Sequence, residues 1–277
     1  MEPLEYCSEK SAPAGSSLYY ASLFYPAPQQ HLIHALFALQ VELQDVIVDC
    51  KDISVATMKL KWWQDEISAL FNNEARHPVT RQLLALGIPA QVEAQSIQAM
   101  INGIASQLHY RPHGSLEELI QEKEQGAASC WRVMMQVLGC NEASTINAVS
   151  NVAACYYMLL HVEQAIVRLK QDICPFPMDI LQEAGIAENE ILQATSQQPL
   201  MRLQQLTLDK LLPRLEEKLG ALPRQLPSVR FAAALGSIEL KRCRQIRNAG
   251  KLLYSGEAGI TPLGKLWIAW RMSKRYR

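Results

Sequence analysis

The 277-residue sequence has no surplus of either charge, since 27 Lys and Arg balance 27 Asp and Glu. Charged residues are also scarce, at 19% against the roughly 25% of ordinary globular domains. A generally basic nucleic-acid binder is excluded, because neutralising phosphates takes surplus positive charge. Disorder is excluded too: it goes with low hydrophobicity, and 49% of these residues are hydrophobic. No Cys-x-x-Cys pair occurs. Seven cysteines stand singly, at 7, 50, 130, 140, 155, 174 and 243. That argues against a zinc site and a disulfide framework, and for a reducing, cytoplasmic compartment. Met1-Glu2-Pro3-Leu4-Glu5 has neither the basic and apolar regions of a signal peptide nor the Arg-rich character of a transit peptide, so no targeting segment is expected. The longest apolar run, Val152 to Leu160, has nine residues, short of the ~20 that span a bilayer. Glycine-rich phosphate loops and a Gly-x-Ser-x-Gly elbow are missing as well.

What is present is helical periodicity. Apolar residues recur three and four apart, as in Leu32, Ala35, Leu36, Leu39 and Leu43, and near Met58, Trp62, Ile67 and Leu70. Such stretches predict about ten helices, over 16–25, 29–50, 54–72, 77–86, 90–108, 115–138, 143–170, 197–220, 228–250 and 261–275. No alternating pattern bounded by hairpin turns appears. The expected fold is all-α and a single domain over 1–277, with 1–15 a flexible extension. Pro26 and Pro28 separate the first two helices, and His77-Pro78 opens another. Cys174-Pro175-Phe176-Pro177 must be extended, and Pro213 predicts a kink or break.

Charge is unevenly placed. Residues 239–277 hold ten basic and two acidic residues. The last helix is amphipathic, with Leu263, Leu266, Trp267 and Trp270 on one face and Lys265, Arg271, Lys274 and Arg275 around it. Such a helix either packs its apolar face on the core or lies on an anionic membrane through 263–277.

Three segments together resemble the squalene/phytoene synthase family, the head-to-head isoprenyl synthases. They are Ser17-Leu-Tyr-Tyr-Ala-Ser-Leu-Phe-Tyr-Pro26 leading to Ala35-Leu-Phe-Ala-Leu39; Leu60-Lys-Trp-Trp-Gln-Asp-Glu-Ile67 with Phe71 and His77-Pro-Val79; and Phe176-Pro-Met-Asp-Ile-Leu181. The resemblance implies an isoprenoid-synthase-like helical bundle with a central cavity. It also implies Mg²⁺ held between two facing Asp-x-x-x-Asp helices, where the metal neutralises a leaving diphosphate.

The sequence departs from that pattern at the metal. Counted from Ala35, the first pair of aspartates falls on Gln44 and Val48, with Val41 at the preceding arginine. Counted back from Pro177, the second pair falls on Gln164 and Arg168. The family's tyrosine-rich stretch falls near Glu122-Lys-Glu124. Asp45-Val-Ile-Val-Asp49 is an Asp-x-x-x-Asp shifted by one residue, which turns it about 100° around the helix. Glu42 and Asp45 form a further pair, and Asp45, Asp49 and Asp52 also read simply as a solvated helix end.

The missing aspartates, with Gln40-Val-Glu-Leu-Gln-Asp-Val46 and Phe176-Pro-Met-Asp-Ile180, are similar to a non-catalytic branch that includes complex I assembly factor 6. This implies an assembly, scaffold or isoprenoid-binding role near a membrane, with a protein partner or isoprenoid lipid, no nucleic acid and no cofactor. The alternative is a Mg²⁺-dependent prenyl transferase using Asp45 and Asp49 as metal ligands. It must place about three negative charges in an apolar cavity, where each uncompensated ion costs several kcal/mol. Tyr19, Tyr20, Phe37, Val41, Tyr157 and His161 are the candidate cavity residues. His31-x-x-His34 lacks a third metal ligand, and His109 and His113, on either side of Pro112, share no helix face.

Overall fold

The computed structural model describes residues 1–50, 52–108, 112–194, 196–255 and 259–276. Among these there is no strand, and the chain is an all-α bundle. The first half runs α1 (Pro3–Ser11), α2 (Ser17–Ser22), α3 (Ala27–Asp49), α4 (Ile53–Phe71), α5 (Pro78–Ala85), α6 (Ala94–Ala105), α7 (Leu116–Gln125) and α8 (Ser129–Val137). The second half runs α9 (Ala143–Glu163), α10 (Ala165–Leu169), α11 (Met178–Ala184), α12 (Glu188–Leu192), α13 (Gln198–Gly220), α14 (Arg230–Asn248) and α15 (Pro262–Arg275).

α3 packs on α1, α4, α5, α6 and α8, while α9 packs on α7, α8, α13 and α14. α8 touches both groups, and its Trp131 is the hub of the core. That ring meets Phe37 of α3, Tyr156 of α9 and Phe231 of α14 at centroid separations of 5.9, 5.6 and 5.6 Å. α3 is long and apolar enough to cross a membrane, but most of it is buried in this core.

Two expected helices are each divided in two. The one over 115–138 breaks at Gly126 because α6 passes there: a Cβ on Gly103 would stand 2.5 Å from the Gly126 Cα. The one over 143–170 breaks at Gln164, whose ψ of 1° ends α9. At Pro213 no break occurs; α13 runs through it with the proline on its exposed side.

Residues 1–15 are not a flexible extension. α1 packs on α3 and α5 and buries Cys7 completely. The Ser11 hydroxyl donates to the His34 carbonyl at 2.9 Å, and the His34 ring meets Ser8 Oγ at 3.1 Å and Ser22 Oγ at 2.9 Å. The periodicity missed α1 because its nine residues hold about two and a half turns with only Leu4, Tyr6 and Cys7 apolar beyond Pro3, too little for a recurring stripe. α11 and α12, with seven and five residues, escaped for the same reason.

Three joints hold the helices in place. Glu66 of α4 is buried, and its Oε1 accepts from the Arg76 and His77 backbone N–H groups at 2.8 Å and from the Thr80 hydroxyl. That satisfies the entry to α5. Asp179 of α11 accepts from the Leu116 N–H, at 3.0 and 3.1 Å from its two oxygens, and so caps α7 from 63 residues away. The Tyr25 hydroxyl donates to the Pro227 carbonyl and accepts from the Phe231 N–H, both at 3.0 Å, fixing α2 against the start of α14.

His34 supplies a test of this packing. Burial, and then His31 nearby, lower its pKa from 6.5 to about 4. An unfolded chain therefore takes up a proton near pH 6.5 that the folded chain refuses until about pH 4. The stabilisation is complete above pH 6.5 and is lost as pH falls through this window, by up to roughly 3 kcal/mol. Urea unfolding between pH 7 and 4 is expected to show that fall, to which the buried His161 adds, and His34→Gln is expected to make it shallower.

Candidate functional site

The end of α3, the end of α6, α7 and the α9–α10 junction enclose three adjoining cavities. An outer cleft of about 370 Å³ lies between α3, α4 and α10; a second of about 180 Å³ lies against α7 and the 173–176 segment. Between them is an inner pocket of about 40 Å³ lined by Gln44, Lys123, Tyr157, His161 and Gln164. Arg168 and Gln107 border all three.

The enclosed charge is cationic. Lys123 is only 5% exposed, and its Nζ stands 2.9 Å from Glu122 Oε1. Glu122 Oε2 in turn meets His113 Nε2 at 2.7 Å. Burial lowers the Lys123 pKa, and Glu122 beside it works the other way. Burial likewise opposes ionisation of Glu122, but Lys123 and His113 hold its carboxyl below the usual range. The Arg168 guanidinium has no ion pair or hydrogen bond with any described residue, and its Nε is enclosed without a partner. His161 donates from Nε2 to the Pro175 carbonyl at 2.7 Å, which leaves Nδ1 as an unpartnered acceptor. Burial, reinforced by Arg168 and Lys123, keeps this imidazole neutral by pushing its pKa well below 6.5.

Such a site offers positive charge and amide donors. Mg²⁺ takes hard oxygen ligands, chiefly carboxylates. Gln44, Gln164, Lys123 and Arg168 present no pair of carboxylates to hold it, so these residues do not fit the metal. Among the described residues no group of three His, Cys, Asp or Glu is placed to bind a metal ion.

The structure brings some of the sequence-derived positions together. Gln44, Gln164 and Arg168 share the inner pocket, and Val48 joins Gln164 and Arg168 in the outer cleft. Tyr157 and His161 are here too. Glu42, Asp45 and Asp49 are elsewhere on α3, beside a surface pocket with Lys10, Lys59, Trp62 and His77. Lys10 lies 2.7 Å from Asp45 and 3.1 Å from Glu42, and the Tyr6 hydroxyl also donates to Glu42. Of the Trp pair, Trp63 is buried and Trp62 exposed.

The remaining candidates lie apart. Phe37 belongs to the Trp131 ring cluster. Val41 is half-buried on α3 and borders none of these cavities. Tyr19 and Tyr20 stack edge to face at 5.2 Å on α2, which packs on α14 and α15. His34 is taken up by Ser8 and Ser22, so His31 and His34 do not form a metal pair. His109 lies outside the described residues. Sequence reasoning missed Gln107, and it named Lys123 only within the Glu122-Lys-Glu124 stretch, without a role in the site. A signal for Lys123 existed: Leu116, Leu119, Ile120 and Lys123 follow the spacing of one buried helix stripe, and all four are buried.

The description "Squalene/phytoene synthase" matches residues 12–263. Over 189 residues, 68% of this chain, the sequence is 21% identical to NADH dehydrogenase (ubiquinone) complex I, assembly factor 6 of Rattus norvegicus. The Homo sapiens protein of that name is 19% identical over the same length. These matches span 57% of the relatives' own length. Among solved structures, a dehydrosqualene synthase in complex with ligand superposes with a TM-score of 0.75 at 12% identity, covering 98% of this chain and 95% of that one. Squalene synthase HpnC from Alicyclobacillus acidocaldarius gives 0.69 at 16% identity, covering 90% and 94%. At these identities the structural likeness speaks for the isoprenoid-synthase fold.

The Glu122–Lys123 pair makes the buried charge testable. Glu122→Gln leaves the Lys123 ammonium enclosed without a counter-charge, and a loss of about 2–3 kcal/mol in urea unfolding is expected. The double variant Glu122→Gln with Lys123→Met removes both charges and is expected to recover most of that loss.

Proposed function

Since the chain belongs to the squalene/phytoene synthase family, we propose that it is a non-catalytic member, an assembly or scaffold factor that works by binding at a membrane surface. One observation carries this reading. Where the family resemblance puts metal-binding aspartates, the facing side chains are Gln44, Val48, Gln164 and Arg168, with Lys123 behind them. Ionising an allylic diphosphate requires a metal that takes up the leaving charge. An arginine and a lysine in the same enclosure repel that metal. The shifted Asp45 and Asp49 support prenyl transfer poorly, because Lys10 pairs with Asp45 and both lie on a different pocket.

A partner role draws on the relatives' name, which is that of an assembly factor. A membrane role draws on α15. Its Ile268, Ala269 and Met272 are buried, while Leu263, Trp267 and Trp270 are 78%, 53% and 47% exposed. Arg271 lies over the Trp267 ring at 5.4 Å, so a cation accompanies the exposed aromatic face. Arg277 of the basic cluster lies outside the described residues.

Incubation with Mg²⁺ and farnesyl diphosphate is expected to yield neither a head-to-head product nor released diphosphate. Turnover that disappears in Asp45→Asn/Asp49→Asn would put the prenyl transferase in its place. In a vesicle co-sedimentation assay the chain is expected to bind phosphatidylglycerol vesicles. Trp267→Ser/Trp270→Ser is expected to weaken that binding at least about tenfold, since each indole contributes a large apolar area. Equal binding by the variant would remove α15 as the contact.

A further inference from the structure

We infer that the outer cleft binds an amphipathic carboxylate directly on Arg168, without a metal ion. The inference rests on the non-catalytic reading of the site, and it names the ligand class the altered cleft accepts.

The charge balance comes first. Among the described residues the charged groups of these cavities that are withdrawn from solvent are Lys123, Arg168 and the partly exposed Glu122, while Glu118 of the second cavity is exposed. Lys123 and Glu122 neutralise each other at 2.9 Å, which leaves the single positive charge of Arg168. At the rim, Lys170 and Asp172 are of opposite sign and offset each other. An anion of one charge is balanced here. A diphosphate, with about three, would leave two charges uncompensated in a confined space.

The geometry of the donors agrees. Guanidinium is planar and presents its N–H groups as a fork that matches the two oxygens of a carboxylate. The Arg168 guanidinium makes no hydrogen bond to another described residue, and its buried Nε lacks a partner, so the fork is unspent. Gln107 and Gln164 border the same cleft and add amide donors. In the outer cleft the only described carboxylate is Asp172, and it is exposed at the rim.

Beside Lys170, Gln171 and Asp172, the rest of the cleft carries an apolar wall. Ile47, Val48, Ile53, Val167 and Ile173 form its walls, with Ile53 and Val167 exposed at the opening. Its volume of about 370 Å³ is at the small end of ligand pockets, which suits a short hydrocarbon body. A cation at one end and an apolar wall at the other describe an amphipathic ligand with an anionic head.

The test is isothermal titration of the full chain with octanoate in EDTA, beside octanol as the uncharged equivalent. Octanoate is expected to bind, with octanol at least about tenfold weaker, as a charged hydrogen bond contributes roughly that factor or more. Arg168→Gln is expected to weaken octanoate at least about tenfold, and Arg168→Lys by less. Val48→Trp, which fills the cleft, is expected to abolish binding. The comparison of octanoate with octanol on the unaltered chain stands even if a variant fails to fold. Equal affinity for the two, no heat with octanoate, an unchanged Arg168→Gln or a requirement for Mg²⁺ would each overturn the inference. So would inorganic diphosphate binding more tightly than octanoate in EDTA. Any of these leaves the non-catalytic reading in place, whereas turnover of farnesyl diphosphate would end that reading without touching octanoate binding.

Discussion

A helix leaves its first N–H groups without intrahelical partners, and a bundle of many short helices buries some of those starts. This fold meets the demand with side chains sent from other helices. Glu66 serves the entry to α5, Asp179 the first turn of α7, and the Tyr25 hydroxyl the first turn of α14. A buried donor left unmade costs about 1–3 kcal/mol, so each joint constrains where its helix begins. The joints also place the cleft. Asp179 fixes the start of α7, and two turns later α7 delivers Glu122 and Lys123 to the enclosure. The segment from His161 to Pro175 closes the other side, held by the bond between their ring and carbonyl.

Inside that enclosure the sign of the charge decides what can enter. Two cations, Lys123 and Arg168, border a cavity with Glu122 and the exposed Glu118, and burial, reinforced by both cations, holds His161 neutral. A divalent metal would add to the repulsion, while an anion relieves it. The same helix α3 carries carboxylates one residue out of phase. Asp45 and Asp49 sit about 100° around from Gln44 and Val48, and there they meet Lys10 of α1 and the Lys59 side of α4. A rotation of α3 that brought them into the cleft would carry Leu39 and Leu43, both fully buried, out of the core. Packing thus holds the acidic and cationic faces of the pocket region apart.

How much of this the sequence reveals depends on the length of the signal. α3, α4, α9, α13 and α14 repeat their apolar spacing over 19 residues or more, and the periodicity finds them. α1, α11 and α12 are short and carry too few apolar residues to show it, while the short α2 and α5 are marked by the prolines at 26 and 78. The breaks at Gly126 and Gln164 come from neighbours: the close pass of α6 is a tertiary fact that no local pattern contains. Glu66 and Asp179 stand in the segments that carry the family resemblance, yet the task of each, capping a distant helix, appears only once the chain is folded. The facing of Gln44 and Val48 toward Gln164 and Arg168 followed from counting along two helices. Lys123 did not, because a lysine on an apolar stripe is ordinarily taken as a position that reaches out to water.

α15 shows a pattern that sequence periodicity alone cannot assign. At 100° per residue, Leu263, Trp267 and Trp270 fall on one face and Ile268, Ala269 and Met272 on the opposite one. Both faces are apolar, and either could have packed inward. The core takes the side with the smaller residues, where α14 and α2 lie close, and leaves the two tryptophans outside. A tryptophan buries 150–250 Å² when fully enclosed. Holding half of each indole in water therefore forgoes about 2–3 kcal/mol per residue at 25 cal/mol per Å². The flanking Arg271 and Lys274 are exposed too. A second protein surface could recover the apolar term, but indoles and basic residues together on one helix face match an interface that is apolar below and anionic above, which is the layering of a lipid leaflet.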